Sequence, residues 1–278
     1  MRDIIKLLRV KHWIKNLLCF LPLVFYKSIN ISDYCHVLLG CLAFSLMASS
    51  IYIINDVKDV EKDKRHEIKK ERPIAAGRVS VFKAILFMIL CLAISIGIDI
   101  AVSESIVSFI ILCVYLVLNV LYSFGLKDRP IFDIVILASG FVLRVIYGGE
   151  LVSIPVSPIL ILTVMAFALY MGLGKRRNEK KKIKEDTREV LKYYTKDFLD
   201  KNMYFCLSIG VVFYSIWALS LGDYYIYTVI GVIIICMRYS LIVESDSLGD
   251  PVDVLLSDKV LIGMVILFSI VMLLLLFC

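Results

Sequence analysis

Residues 55–77 read NDVKDVEKDKRHEIKKERPIAAG, and four of them, Asn55, Asp56, Asp59 and Asp63, are hard oxygen donors placed where a long apolar segment ends. On a helix turning about 100° per residue they point to about 0°, 100°, 40° and 80°, so three carboxylates and an amide share one quarter of its surface. Like charges that close repel and raise one another's pKa unless a cation lies between them. A hard divalent ion carrying bound phosphates answers that need. A solvated helix end of mixed charge is the bland reading of the same residues.

The rest of this loop is basic. In ERPIAAGRVS, Pro73 disfavours helix at Arg72 and Gly77 permits a tight turn, so the chain can fold back and aim Lys70, Arg72 and backbone amides at the aspartates. Ser80 is placed to cap the next helix. His66 would face about 20° if the helix continued, where it reads as a phosphate or water contact.

A second charged loop, residues 175–201, opens GKRRNEKKK. Lys175, Arg176 and Glu179 point to about 0°, 100° and 40° on a continuing helix, again one face. Two cations suit phosphate binding, with Glu179 orienting them or helping to hold an ion. The competing reading is topological, since basic residues gather at helix ends beside a membrane for that reason alone. Both loops begin as helices leaving an apolar segment, which suggests two half-bundles facing each other across a cavity.

These loops are set among apolar segments. Hydrophobic residues are 60% of the 278 and the mean hydropathy is +0.87, against about 45–50% apolar in an ordinary soluble domain. Stretches near 20 residues predict nine spans, at 13-30, 34-54, 80-101, 104-124, 130-151, 154-174, 202-221, 223-243 and 259-278. Runs such as IVSFIILCVYLVLNVLY lack the alternation of a membrane β-barrel, so the fold class expected is an all-α polytopic bundle forming one domain over 1-278, with cytosolic loops 55-79 and 175-201. With the N-terminus inside, 29 of the 31 Lys and Arg residues fall on the cytosolic side, a positive-inside pattern. The amphipathic MRDIIKLLRVKHWIKN reads as an interfacial helix rather than a cleaved signal.

Net charge is +6, but the basic residues are divided among juxtamembrane loops. They suit anionic lipid headgroups and phosphorylated substrates, not nucleic acid. The eight cysteines lie in apolar segments without a CxxC pair and read as small buried hydrophobes. Arg144 is the one basic residue expected inside a span, either a functional or paired group or one that snorkels outward. Asp133, Tyr122 and Tyr194 carry the same ambiguity between lining a cavity and joining or anchoring helices. Asp250, Asp253 and Asp258 either reach the site or belong to an ordinary turn.

Taken together, the aspartate segment resembles the NDxxDxxxD signature of the UbiA-type intramembrane prenyltransferase superfamily, and nine spans resemble its fold. RVKHWIKNLLCFLPLVF, HEIKKERPIAAG, FVLRVIYGG, GKRRNE with REVLKYYT, and GDPVDVLLSDK resemble one branch of it, the polyprenyl-phosphate phosphoribosyltransferases. One departure from ordinary prenyltransferases favours that branch: GKRRNEKKKIKED stands where they carry a second aspartate-rich motif.

The resemblance implies transfer of 5-phosphoribose from 5-phosphoribosyl 1-diphosphate to a membrane polyprenyl phosphate, with Mg2+, for cell-envelope glycan synthesis. It implies that Asn55, Asp56, Asp59 and Asp63 hold the metal, with Asp56, Asp59, Lys175, Arg176 and Glu179 carrying catalysis. The cations Lys175 and Arg176 would face the donor's phosphates. Lys11, Lys15 and Asn16 would meet the lipid phosphate. Tyr52, Asn55, His66, Lys70, Arg72, Tyr122, Lys127, Arg144, Arg188 and Tyr194 complete the expected substrate contacts. The place implied is a bacterial plasma membrane, spanned many times, with N-terminus and site cytoplasmic; a homo-oligomer is compatible with the sequence. Rival readings are a prenyltransferase acting on an aromatic acceptor and a transporter.

Overall fold

The structure is a computed structural model and describes residues 2–65, 67, 69–181, 189–245 and 250–277. It is helical: α1 (Arg2–Leu8), α2 (Leu21–Phe25), α3 (Ile31–Lys58), α4 (Val60–Arg65), α5 (Val81–Val102), α6 (Ile106–Ser123), α7 (Phe132–Glu150), α8 (Pro158–Lys181), α9 (Lys196–Leu221), α10 (Thr228–Glu244), α11 (Pro251–Ser257) and α12 (Lys259–Phe277). Side chains close the N-termini where the sequence offers them. Asn30, Ser80, Ser105 and Thr195 accept from backbone N–H groups in the first turns of α3, α5, α6 and α9, satisfying donors that a helix leaves orphaned.

Among the described residues eight helices are long and apolar enough to cross a membrane. The first expected span takes another form, a 3-10 segment over Val10–Phe20 followed by α2. Pro22 explains the break, because its ring would meet the carbonyl four residues back in a continuous α-helix. Eleven residues at about 2 Å each and five at about 1.5 Å still reach about 30 Å, the thickness of a hydrocarbon core. The segment is therefore extended enough to serve as the ninth. The outward faces of the long helices are apolar, with Leu86, Leu90, Leu267 and Leu274 exposed, as a lipid solvent requires.

The chain divides into two compact units. The first comprises residues 1–127 and 143–155 and packs around Phe44, Tyr115 and Tyr147, the Phe44 and Tyr115 rings standing 4.5 Å apart. Polar side chains in its interior are paired. Asp99 on α5 accepts from Tyr147 (2.9 Å) and Ser108 (3.3 Å), and Ser95 donates to the Ala43 carbonyl at 2.7 Å, so polar groups join α5 to its neighbours inside lipid. The second unit comprises residues 128–142 and 156–278 and packs around Tyr170, Leu173, Met203, Tyr239 and Val243. Tyr170 there bonds the Cys236 carbonyl and Ser240. The described cysteines are free, none paired in a disulfide.

One close approach in the first unit needs a glycine. A Cβ on Gly148 would lie 1.9 Å from the backbone oxygen of Cys19, and a carbonyl of the 3-10 segment has little room to yield. Gly97 has nothing within 4 Å of the same position. Gly148→Ala should cost about 3 kcal/mol or more, the upper end for overpacking, and Gly97→Ala should cost nothing. Thermal midpoints of the two variants in detergent, against the unaltered protein, check the contrast.

Candidate active site

In the first unit the aspartates lie at the junction of α3 and α4. α3 ends at Lys58, and Asp59 takes φ −93°, ψ 12°, the sparsely allowed region where many active-site residues sit. Helical hydrogen bonding is nevertheless carried across the junction, from Asp59 N–H to the Asn55 carbonyl (2.9 Å) and from Asp63 N–H to the Asp59 carbonyl (2.8 Å). The helical face drawn from the sequence therefore survives the break. Asp56 and Asp63 are buried, with 3% and 2% exposure.

Each carboxylate meets a cation. Arg72 Nη1 donates to Asp56 Oδ1 at 2.9 Å and to Asp63 Oδ2 at 2.7 Å. The loop turns back to do this, with Gly77 at φ 70° and Val79 N–H on the Pro73 carbonyl. Arg9 Nη2 reaches the same Asp56 oxygen at 2.5 Å, its guanidinium 4.7 Å above the Tyr52 ring. Lys127 Nζ takes both oxygens of Asp59, at 3.0 and 2.8 Å.

The three carboxylates keep a common helical face but divide between cations. Asp56 and Asp63 converge, while Asp59 turns to Lys127, because cations between like charges lower their repulsion. Among the described residues no group of three or more His, Cys, Asp or Glu is gathered as for one ion. The donor set still fits a magnesium ion: two carboxylate oxygens lie within 2.9 Å of a single cationic nitrogen, and that metal is commonly held by one or two carboxylates plus substrate phosphates. Asn55 is half-buried in the last turn of α3, and Lys70 is exposed two residues before Arg72.

Arg9 escaped the sequence reading. Its position is built by Ser49, which donates to the Leu8 carbonyl (2.8 Å) and accepts from Trp13 Nε1 (3.0 Å), so α3 grips the chain on both sides of Arg9. The only signal was its place in a basic interfacial helix. Lys11 is exposed on that segment and Lys15 half-buried.

Asn16 requires a correction, for it is buried and faces the interior. Its amide donates to Ser45 at 2.7 Å and its oxygen accepts from Arg144 Nε at 2.7 Å, which turns it away from any lipid phosphate. Arg144 is buried too, and its outward snorkelling is ruled out. Tyr115 accepts from it at 3.0 Å, and the Phe44 and Tyr115 rings lie 4.8 and 5.1 Å from it. Cation–π and hydrogen-bond contacts hold this charge in the span. Tyr122 is half-buried in the last turn of α6.

The second unit carries a cluster at the end of α8. Lys175 Nζ lies 3.1 Å from Asp250 Oδ2, and Asp250 also caps α11 through Val252 N–H, as the turn reading of that aspartate expects. Arg176 is fully buried. Its Nε stands 2.6 Å from Asp133 Oδ2 and its Nη1 pairs with Glu179. The expectation that Arg176 faces a ligand's phosphates is corrected by this burial. Arg177, left out by the sequence reading, ties Asp200 of α9 to the Val243 carbonyl of α10.

Tyr194 is buried beside Asp133 and donates to its Oδ1 at 2.5 Å. Burial, with the Asp133 carboxylate adding to it, pushes the Tyr194 phenol well above its ordinary pKa, so it stays a proton donor. His66 and Arg188 lie outside the described residues.

The sequence profile of the UbiA prenyltransferase family matches residues 16–256. A decaprenyl-phosphate phosphoribosyltransferase of Mycolicibacterium smegmatis is 34% identical over 281 residues, covering 93% of this chain and 87% of that protein. The one of Corynebacterium glutamicum is 32% identical, covering 92% and 81%. Among solved structures, a UbiA homolog from Archaeoglobus fulgidus bound to DMAPP and Mg2+ superposes with a TM-score of 0.72 over 98% of this chain and 97% of that one, at 21% identity, a likeness of fold. With a helical bundle rich in lipid-facing surface and aspartates at the end of α3, the chain is a multi-pass membrane protein that belongs to the UbiA prenyltransferase family.

Proposed function

We propose that this protein transfers 5-phosphoribose from 5-phosphoribosyl 1-diphosphate to a polyprenyl phosphate in the membrane, releasing diphosphate, as a step toward cell-envelope glycan. The observation that carries this reading is the 32–34% identity, along more than nine-tenths of the chain, to relatives named for that transfer. Two features of the chain support it. The second charged loop offers Lys175 where ordinary prenyltransferases would place carboxylates, and the phosphoribosyl donor has one phosphate more to hold than a prenyl diphosphate.

The chemistry suits the residues. As diphosphate departs, C1 of the sugar becomes oxocarbenium-like, so the chief task is stabilising charge on the leaving group. The attacking phosphate is already an anion and needs little help from a base. Asn55, Asp56, Asp59 and Asp63 would hold Mg2+, whose contribution when bound is to neutralise diphosphate oxygens. Arg9, Arg72 and Lys127 rest on these carboxylates and are placed to turn to phosphate. Lys175, in the second unit, is a cation of a kind suited to phosphate, and Arg176 is held by its carboxylate partners. The acceptor's tail lies against apolar helix faces. The distribution of 29 of 31 basic residues supports a plasma-membrane orientation with N-terminus and site cytoplasmic.

Purified protein given magnesium, labelled phosphoribosyl diphosphate and polyprenyl phosphate should yield a lipid-extractable ribose product, and chelation should abolish it. Activity with a prenyl diphosphate and 4-hydroxybenzoate in its place would support the aromatic prenyltransferase instead. Asp56→Ala and Asp59→Ala should each lower turnover about a hundredfold or more while leaving the protein in the membrane fraction. Asp56→Asn, which keeps the side-chain volume beside Arg9 and Arg72, should lose activity equally. Wild-type rates in these variants would end the metal assignment.

A further inference from the structure

In the first unit one carboxylate oxygen carries two cations. Asp56 Oδ1 accepts from Arg9 Nη2 at 2.5 Å and from Arg72 Nη1 at 2.9 Å, and the carboxylate is buried. The two arginines are not equivalent. Arg72 also holds Asp63 at 2.7 Å, so it ties the returning loop to the aspartate face, whereas the Arg9 bond falls on an oxygen that Arg72 already meets. Arg9 has a second resting place as well. Its guanidinium lies 4.7 Å from the Tyr52 ring, and an aromatic face attracts an arginine without any carboxylate.

The backbone brings Arg9 to Asp56 at a cost. It has φ 51°, ψ 46°, a left-handed conformation uncommon outside glycine, and residues held this way gather at ligand clamps and switch regions. The chain on either side is anchored. Leu7 is fully buried in a cluster with Ile53, Ile74, Val79 and Ala84, and Ser49 holds the Leu8 carbonyl and Trp13. With its neighbours fixed, Arg9 changes partner by turning its side chain.

A divalent ion arriving alone at Asp56 must take the carboxylate from two guanidinium groups and then sit beside them, with like charges repelling. A diphosphate arriving with the ion supplies phosphate oxygens, which suit a guanidinium well, so the displaced cation passes to a new partner. We propose that Arg9 is a placeholder for the metal: it occupies Asp56 beforehand, disfavours a bare divalent ion, and turns to diphosphate when the two enter together. This rests on the metal assignment above and not on the choice of donor, since diphosphate leaves a phosphoribosyl and a prenyl donor alike.

The test is binding to the full-length protein in detergent, with Mn2+ alone followed by electron paramagnetic resonance in one arm and labelled inorganic diphosphate at saturating Mg2+ in the other. Arg9→Gln should tighten Mn2+ binding about tenfold and weaken diphosphate binding about tenfold to a hundredfold, the range for one lost hydrogen bond to a charged group. Opposite shifts from one substitution are the signature, because a purely structural role or partial unfolding would weaken both. Arg9→Lys, which keeps the charge, should bind Mn2+ as the wild type does. Mn2+ affinity unchanged or lowered in Arg9→Gln, or diphosphate affinity unchanged, overturns the placeholder and leaves the metal assignment standing. Adding Asp56→Asn to Arg9→Gln should abolish the gain in Mn2+ affinity, and a gain retained in that double variant would remove both.

Discussion

A carboxylate buried at the end of a membrane helix cannot remain charged without a counterion, and Asp56 shapes the first unit through that constraint. Two guanidinium groups meet Asp56 on one oxygen. Arg9 comes from the interfacial N-terminus and Arg72 from the loop after α4, so one charge gathers three separate stretches of chain. The left-handed backbone of Arg9, φ 51°, and the Ser49 grip on its neighbours follow from the need to bring that cation in. Removing either partner would leave a buried charge uncompensated, which costs several kcal/mol in proteins.

The second unit solves the same problem with the parts exchanged. There the innermost carboxylate, Asp133, starts a span, and the cation, Arg176, lies on the neighbouring helix. In both units the most buried charges set geometry through the partners they hold. Burial thus divides residues that look alike in sequence. Arg176 and Lys175 are adjacent and both basic, yet one is sealed and the other half-exposed on Asp250.

Much of this was legible from residue types. Span number and helical class follow from the length and monotony of the apolar runs, and the turn-back of Arg72 follows from Pro73 and Gly77, whose backbone preferences are local. What the sequence hid were partners distant along the chain. Arg9 lies 47 residues from Asp56 and carries no local sign of that pairing. Asn16 sits in a basic segment that suggests phosphate, yet its direction is fixed by Ser45 and by Arg144, 128 residues away. The 3-10 form of Val10–Phe20 was hidden as well, because hydropathy counts residues and does not register their rise.

Charge balance links the resting structure to the proposed reaction. Asp56, Asp59 and Asp63 carry three negative charges, and Arg9, Arg72 and Lys127 return three positive ones, so the cluster is neutral as it stands. A phosphoribosyl diphosphate bound to a divalent ion would bring a net negative charge, which the chain's cations could meet as they leave the carboxylates. On the proposed function the carboxylates would hold the ion and the chain's cations would meet phosphate oxygens, so that neither set would be stranded in a low-dielectric surrounding, where stranding is most costly. A cluster of carboxylates alone would repel the donor until metal arrived, and a cluster of cations alone would hold the released diphosphate too firmly. The paired arrangement would avoid both, which on the proposed function gives Arg9 and Lys127 a part in the site beyond packing.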